Sequence, residues 1–197
     1  LFPYTTLFRS FILKGIVVGI LVGFVVSLFR LGIEKIGEQV VHLYQTFHEK
    51  PFWMIPWFLF SLVLAYLLGR LIKSEPAIKG SGIPQVEGQL QGQLEIHWFP
   101  VLWKKFIGGI LAISPGLFLG REGPSIQLGA VVGQGYSQWR QSTKSEEKIL
   151  ISSGASAGLA AAFNAPIAGL LFVLEEVHHS FSPLVWLTSF SAAISAN

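Results

Sequence analysis

Two short polar breaks between strongly apolar segments limit what this chain can fold into more than any other feature of its sequence. The first motif, residues 80–84, reads Gly80-Ser81-Gly82-Ile83-Pro84; the second, residues 120–124, reads Gly120-Arg121-Glu122-Gly123-Pro124. Each ends in a proline, which is favoured in the first turn of a helix. Because a helix start leaves backbone N–H groups unpaired and carries a partial positive charge, each motif predicts a place suited to an anion.

The apolar segments around these motifs indicate a membrane protein. Residues 11–29 and 52–69 are long enough to cross a bilayer as helices. Charged residues make up only 13% of the 197 residues, against about 25% in a soluble domain. The net charge of +3 is best explained by loop lysines and arginines that face anionic lipid, rather than by nucleic-acid binding. We therefore expect an all-α integral membrane protein that binds no nucleic acid.

The glycine-rich breaks also predict an irregular membrane fold. Irregular backbone at membrane depth is tolerated only where it is buried in protein or lines a watery cavity, and transporters build ion sites from such broken helices. Residues 124–140 contain three glycines, and residues 149–163 are rich in glycine and alanine; both segments are less apolar than ordinary spans. They predict tilted or partial helices that pack closely against protein. Taken together, these segments predict part of an anion pathway through a bilayer.

Acidic residues near the apolar segments are the candidate proton carriers. Arg121 and Glu122 adjoin a long apolar run, and ionisable groups at such depth usually serve a function. The Glu122 carboxylate could occupy an anion site when ionised and leave it when protonated; the alternative is a structural Arg121–Glu122 ion pair. Glu175 and Glu176 are adjacent and so point different ways around a helix. We expect either that one faces water and the other the interior, or that both form a solvated helix end.

The sequence predicts neither a disulfide nor a metal site. The chain has no cysteine, which excludes a disulfide framework and thiolate ligands. Its histidines have no spacing typical of metal ligands; they are His42, His48, His97, His178 and His179. We interpret the pair at 178 and 179 as a polar helix end.

Three blocks of this sequence resemble the CLC family of chloride channels and proton–chloride antiporters. The first and second motifs match two signatures of that family as they stand. The third block is Gly158-Leu159-Ala160-Ala161-Ala162-Phe163-Asn164-Ala165-Pro166, followed by Ala168-Gly169 and by Glu175-Glu176. Their order and spacing agree with the family from about residue 11 to residue 197.

The resemblance implies a role for each residue of these motifs. Ser81 matches the serine that contacts the central chloride. Glu122 matches the external gating glutamate and proton carrier, and Glu176 matches the internal proton-transfer glutamate. Glu175 is implied to lie beside the inner water route. The other implied anion-binding residues are Gly82, Ile83, Arg121 and Gly123, with Gly80, Pro84, Gly120 and Pro124 as supporting residues.

The resemblance also implies substrates, partners and location. Glutamate at position 176 favours proton–chloride antiport, because family members that act as channels usually have an apolar residue there. A CLC chloride channel without obligatory proton coupling is the alternative. Serine at position 81 favours chloride over nitrate. The implied protein uses no cofactor, forms a homodimer and lies in a bacterial plasma membrane.

The implied fold consists of two inverted-topology repeats, each supplying half of the ion site. Residues 11–197 match the first repeat, and the second helix-start motif of the family, Gly-x-Phe-x-Pro, is absent. We therefore expect the second repeat to be missing and the pathway to be incomplete in this sequence. Residues 1–10 show no helical period and no helix start signal, and we expect them to be a non-native lead-in.

Two readings from other functional classes explain the sequence less well. A membrane-bound hydrolase or transferase would use Glu122 and Glu176 as an acid–base pair and the glycine-rich motifs as phosphate loops. The chain offers no nucleophile or metal constellation for this, and no Gly-x4-Gly-Lys-Ser/Thr sequence. A purely structural membrane subunit would not need buried acids. We therefore expect a transport protein and not an enzyme.

Overall fold

The computed structural model describes residues 2–117, 119–177 and 182–197, without the side chains of residues 2–5, 48 and 49. The described part of the chain is all-helical, as the sequence predicts. Its α-helices are α1 (Phe2–Glu49), α2 (Met54–Ser74), α3 (Ile83–Leu90), α4 (Trp98–Ile113), α5 (Glu122–Trp139), α6 (Lys144–Phe163), α7 (Pro166–Phe172) and α8 (Pro183–Ser195).

Helix α1 is longer than the sequence predicts. It has 48 residues, which corresponds to about 72 Å at 1.5 Å per residue. We expected no helix over residues 1–10, yet α1 already begins at Phe2. Pro3 does not prevent this, because proline is tolerated in the first turn, where its missing N–H would have no partner. The helical conformation does not test whether residues 1–10 are a non-native lead-in, so that origin stays a prediction.

Prolines and left-handed residues end the helices where the sequence predicts. A short 3₁₀ turn begins at Pro51 and separates α1 from α2. Gly116, with φ of +94°, lies in the turn that follows α4. Asn164 ends α6 with φ of +57°, and Pro166 is the first residue of α7. The predicted break at residues 164–166 is thus confirmed.

The most tightly packed part of the core is the contact between α5 and α6. A Cβ atom on Gly129 would stand 2.9 Å from the carbonyl carbon of Gly154, and one on Gly133 would stand 2.9 Å from that of Leu150. Contacts that advance along α5 while they retreat along α6 show that the two helices are antiparallel. The small residues therefore allow close backbone contact, and the prediction that these segments pack against protein is confirmed.

Helix α1 runs parallel to α6 beside this pair. Near one end of α1, Lys14 Nζ lies 2.9 Å from Glu146 Oε1. About four turns later, Arg30 Nη1 donates a hydrogen bond of 3.1 Å to the carbonyl oxygen of Ala161. From the first contact to the second, the residue numbers rise in both helices, so the two helices run in the same direction. Arg30 thereby satisfies one of the unpaired carbonyl groups in the last turn of α6.

Helix α8 packs against the same part of α1. A Cβ atom on Gly19 would stand 2.9 Å from Cα of Ala192, and one on Gly23 would stand 2.9 Å from Cα of Ala196. The hydrophobic core between these helices contains fully buried valines of α1; they are Val18, Val22 and Val26. Helices α1, α5, α6 and α8 thus pack together into the core that supports the candidate site.

Two helical segments of the described residues are long and apolar enough to cross a membrane. They are Thr6–Phe47, which belongs to α1, and Pro51–Ser74, which contains α2. No residue of α2 is buried, whereas residues 150–162 of α6 are all buried. Exposed α2 therefore presents its apolar side chains outward, while α6 is enclosed by other helices.

Candidate anion-binding site

The first motif forms the start of α3, as predicted. Gly82 is the residue that caps α3, and its φ of +95° is a left-handed conformation that favours glycine. Pro84 is the second residue of the helix, where its missing N–H is not needed. Ser81 Oγ accepts a hydrogen bond of 3.4 Å from the backbone N–H of Ile83. The hydroxyl hydrogen of Ser81 is then still available as a donor.

A buried lysine holds the backbone of the first motif. Lys105 of α4 is only 4% exposed. Its Nζ donates to the carbonyl oxygens of Ile78 at 2.9 Å and Gly80 at 2.7 Å. Lys105 was not among the predicted site residues, although an ionisable group inside the apolar run of residues 100–119 is the sequence signal that indicates it. Lys105 thereby places an amino group beside the candidate anion site.

A buried glutamine of α5 holds the same backbone from another side. Gln127 is fully buried, and its Nε2 donates a hydrogen bond of 2.7 Å to the carbonyl oxygen of Ala77. Its side chain lies against Gly82, where an added Cβ atom would stand 2.6 Å from the Gln127 Cβ atom. Gln127 was not among the predicted site residues either, because no local pattern predicts which segment a helix side chain will contact.

The second motif forms the start of α5, two residues earlier than expected. We predicted that Pro124 opens the helix, but the first helical residue is Glu122. Glu122 is half-buried, and its carboxylate folds back over Gly120, with Cδ 3.3 Å from the place of a Gly120 Cβ atom. The partial positive charge of the helix start attracts a negatively charged group to this place. An anion in the same place would gain the same stabilisation.

The structure brings the two motifs into direct contact. A Cβ atom on Gly123 would stand 2.7 Å from Cβ and 2.8 Å from the carbonyl oxygen of Ser81. Both motifs line one cavity of about 540 Å³, to which Lys105 also contributes. The remaining wall is mostly apolar and comes from α2 and α4, which strengthens electrostatic interactions inside the cavity. Ser81, Ile83, Gly120 and Glu122 are among the lining residues.

Two of the predicted anion-binding residues do not line this cavity. Gly82 is buried beneath Gln127. Arg121 Nη1 lies 3.3 Å from Oε1 of Glu34 on α1. In the part of the chain that the structure describes, Arg121 therefore pairs with Glu34, and the alternative Arg121–Glu122 ion pair is not formed. Neighbouring residues at a helix start point in different directions, so only Glu122 turns towards the cavity.

Glu175 and Glu176 lie away from the cavity. They belong to a π-helical turn, Val173–Val177, that follows α7. Val173 and Val177 are buried and both glutamates are exposed, so the expectation that one glutamate faces the interior is not met here. The reason is geometric: the two valines four residues apart face the core, and the residues between them point outward. The alternative of a solvated helix end describes both residues in this structure.

Metal ligands were not predicted, and no group of three or more potential ligands occurs among residues 2–117, 119–177 and 182–197. His178 and His179, interpreted as a polar helix end, lie outside the described residues. The charged side chains that line the cavity are those of Lys104, Lys105 and Glu122, and two helix starts add partial positive charge. This donor set suits an anion and not a metal cation.

Comparison with known proteins identifies the fold to which this geometry belongs. The pattern of the voltage gated chloride channel family matches residues 60–197 of the chain. This chain belongs to the CLC family. Its members named below are transporters, and the chain is accordingly an integral membrane protein. The resemblance inferred from the three sequence blocks is confirmed.

Individual CLC proteins match along most of the chain. The H(+)/Cl(-) exchange transporter ClcA of Vibrio cholerae serotype O1 is 38% identical over 183 residues, which cover 91% of this chain and 38% of ClcA. The crystal structure of a slow cyanobacterial Cl⁻/H⁺ antiporter is 35% identical, with a TM-score of 0.85 over 94% of this chain and 45% of that one. A eukaryotic CLC transporter shares the fold, at 19% identity and a TM-score of 0.80 over 94% of this chain and 36% of that one. The chain thus spans less than half the length of each.

Proposed function

We propose that this chain is the first half of a proton–chloride antiporter and supplies one half of its anion site. The observation that carries the proposal is the meeting of two helix starts, those of α3 and α5, at one cavity that also contains the Glu122 carboxylate. The similar proteins named as H⁺/Cl⁻ exchangers and Cl⁻/H⁺ antiporters support it. The second half would come from an inverted repeat that these residues do not include.

Chloride is the proposed anion. The Ser81 hydroxyl, whose oxygen already accepts the Ile83 N–H, has its hydrogen available for a halide. The partial positive charge at the start of α3 and the ammonium group of Lys105 favour an anion beside it. No cofactor is needed for this chemistry, since the protein only replaces the hydration shell of the ion with fixed dipoles.

Glu122 is the proposed gate and proton carrier. When ionised, its carboxylate occupies the helix start of α5 and competes with chloride for the same stabilisation. When protonated, it loses that stabilisation and can leave the site to chloride. Occupation of the site by chloride is therefore linked to protonation of Glu122. For antiport, that proton must reach Glu122 from the side towards which chloride moves and leave towards the side from which chloride came.

Glu176 is the proposed proton donor or acceptor on the opposite side of the protein. Its exposed position on the π-helical turn gives it access to water. We propose that protons pass between Glu176 and Glu122 in the complete protein. A chloride channel without obligatory coupling is the second candidate, and the glutamate at position 176 favours the antiporter over it.

We further propose a homodimer in a bacterial plasma membrane, with lipid against the exposed face of α2. The protein is proposed to be a transporter without enzymatic activity. The transporter names of its relatives support this proposal.

The decisive experiment is a flux measurement on a full-length protein that contains this chain. The protein is reconstituted in liposomes with a chloride gradient, and chloride efflux and proton uptake are recorded together. Proton uptake driven by chloride in a fixed ratio supports the antiporter. Chloride flux without proton movement would replace it with the channel, and absence of both fluxes would contradict the proposed function.

A further inference from the structure

Two buried glutamines of α5 make matching contacts at the two ends of residues 77–96, which contain α3 and are called the α3 segment below. Gln127 and Gln134 are 0% and 5% exposed. Gln127 Nε2 donates to the carbonyl oxygen of Ala77, and Gln134 Nε2 donates to that of Ile96, each at 2.7 Å. Ala77 precedes α3 and Ile96 follows it. Because residues seven apart lie on one face of a helix, α5 holds the α3 segment at two points.

The orientation of both amides is fixed by these contacts. A backbone carbonyl can only accept a hydrogen bond, so the amide nitrogen must face it and the amide oxygen must point away. The Oε1 atoms of Gln127 and Gln134 are buried without a hydrogen-bond partner in the described part of the chain. The unpartnered Oε1 atom of each glutamine is unfavourable, but its amide nitrogen satisfies a backbone carbonyl that would otherwise lose its partner.

Gln127 differs from Gln134 in its distance from the anion site. It lies four residues after Gly123, on the same face of α5. Gly123 contacts Ser81, and Gln127 contacts both Gly82 and Ala77. The whole loop that carries Ser81 therefore rests on this face of α5. Gln134 lies seven residues further along α5, about 10 Å at 1.5 Å per residue, and contacts Ile96, which follows α3.

We propose that Gln127 is a positioning residue that sets anion discrimination. Gln127 donates a hydrogen bond to the Ala77 carbonyl and packs against the Gly82 backbone. These two contacts fix the position of the Ser81 hydroxyl relative to the start of α5 and to Glu122. Chloride and nitrate differ in size and shape, so a shift of the Ser81 donor changes their relative binding. The inference rests on the proposed anion site but not on proton coupling.

The test compares Gln127→Met with Gln134→Met in the full-length protein. Methionine has a similar length and cannot donate a hydrogen bond, so each variant loses one contact of 2.7 Å. Chloride and nitrate binding are measured by titration calorimetry, and thermal stability is measured alongside. We expect both variants to lose stability to a similar degree. Only Gln127→Met should change the ratio of nitrate to chloride affinity, by roughly three- to tenfold, the effect of one displaced hydrogen bond.

Each outcome decides a separate question. If the unmodified protein binds neither anion, the proposed function fails. If it binds chloride and Gln127→Met leaves the ratio unchanged, or if Gln134→Met shifts the ratio equally, the positioning role is overturned. Should Gln127→Met not fold, Gln127→Asn keeps the amide but withdraws it by one methylene group, and the same shift in the ratio is expected. An unchanged ratio in a folded Gln127→Asn protein contradicts the proposal.

Discussion

Gly123 and Ser81 touch so closely that position 123 has no room for a side chain. A Cβ atom there would stand within 2.9 Å of three Ser81 atoms: Cβ, the carbonyl oxygen and Cα. The contact joins the start of α5 to the loop that leads to α3, and it brings the Glu122 carboxylate and the Ser81 hydroxyl to one cavity. The glycine of the second motif is therefore required by the packing of the first motif.

Gly123→Ala is expected to damage the anion site and the fold together. The added methyl group must push Ser81 and its loop away from α5, which costs about 1–3 kcal/mol in stability, as overpacking usually does. Chloride binding should weaken, because the two helix starts no longer meet. Thermal unfolding and chloride titration of the full-length protein measure both effects.

Gly69→Ala is the matched control for this variant. Gly69 lies in the exposed helix α2 with no atom within 4 Å of an added Cβ. Alanine there should leave chloride binding unchanged and stability equal or higher by up to about 1 kcal/mol. If Gly123→Ala behaved like Gly69→Ala, the contact with Ser81 would be shown to have no role.

Glu122→Gln is expected to abolish proton movement while chloride still passes. The neutral amide resembles the protonated carboxyl group, so it no longer competes with chloride, and it carries no proton. Chloride-driven proton uptake in liposomes should fall to background while passive chloride efflux persists. Glu38→Gln, at an exposed position of α1, serves as the control and should keep both fluxes. Normal proton uptake by Glu122→Gln would remove Glu122 from the pathway.

Glu176→Gln should also stop proton coupling, by a different route. Protons can no longer be exchanged with the side of the membrane that Glu176 faces, yet Glu122 can still titrate. Chloride flux should therefore remain and still respond to pH on the side of Glu122. Stopped-flow or electrode measurements at several pH values on each side separate the two glutamates. Loss of chloride flux with coupling intact in the residual flux would make Glu176 a structural residue.

The Lys14–Glu146 pair predicts a pH dependence of stability. The pKa of Glu146, in the polar segment before the apolar part of α6, is below its ordinary value chiefly because Lys14 Nζ donates a hydrogen bond to its carboxylate. The stabilisation of the fold by this ion pair is fully present above the pKa of Glu146 in the unfolded chain, about 4.5. It is lost as pH falls through the lower pKa of the folded state. Since both side chains are partly exposed, we expect about 1 kcal/mol or less.

Denaturation across acidic pH tests this dependence. Glu146→Gln should flatten the fall in unfolding free energy on acidification below about pH 5, where ionised Glu146 stabilises the fold. Glu38→Gln, whose carboxyl group forms no ion pair within the described residues, should keep the original slope. An unchanged slope in Glu146→Gln would show that the pair with α1 does not stabilise the folded state.

The sequence by itself determined the helical class, the breaks and the two motifs. Proline and glycine act locally, because they restrict or free the backbone dihedral angles of their own residues. Pro51, Gly82 and Pro166 therefore indicate helix boundaries from the sequence, and the structure places a boundary at each. The apolar length of residues 11–29 and 52–69 likewise predicted membrane helices. These features depend on neighbours along the chain and can be predicted from it.

Only the tertiary structure decided which side chains meet. Arg121 turned out to pair with Glu34, Lys105 with the carbonyl groups of the first motif, and Gln127 with Ala77. The outward position of Glu175 and Glu176 depended in the same way on which side of the π-helical turn packs on α6. Such contacts join residues distant in sequence, and their partners follow from how whole helices pack. Local patterns thus located the candidate anion site, whereas helix packing decided which side chains hold it.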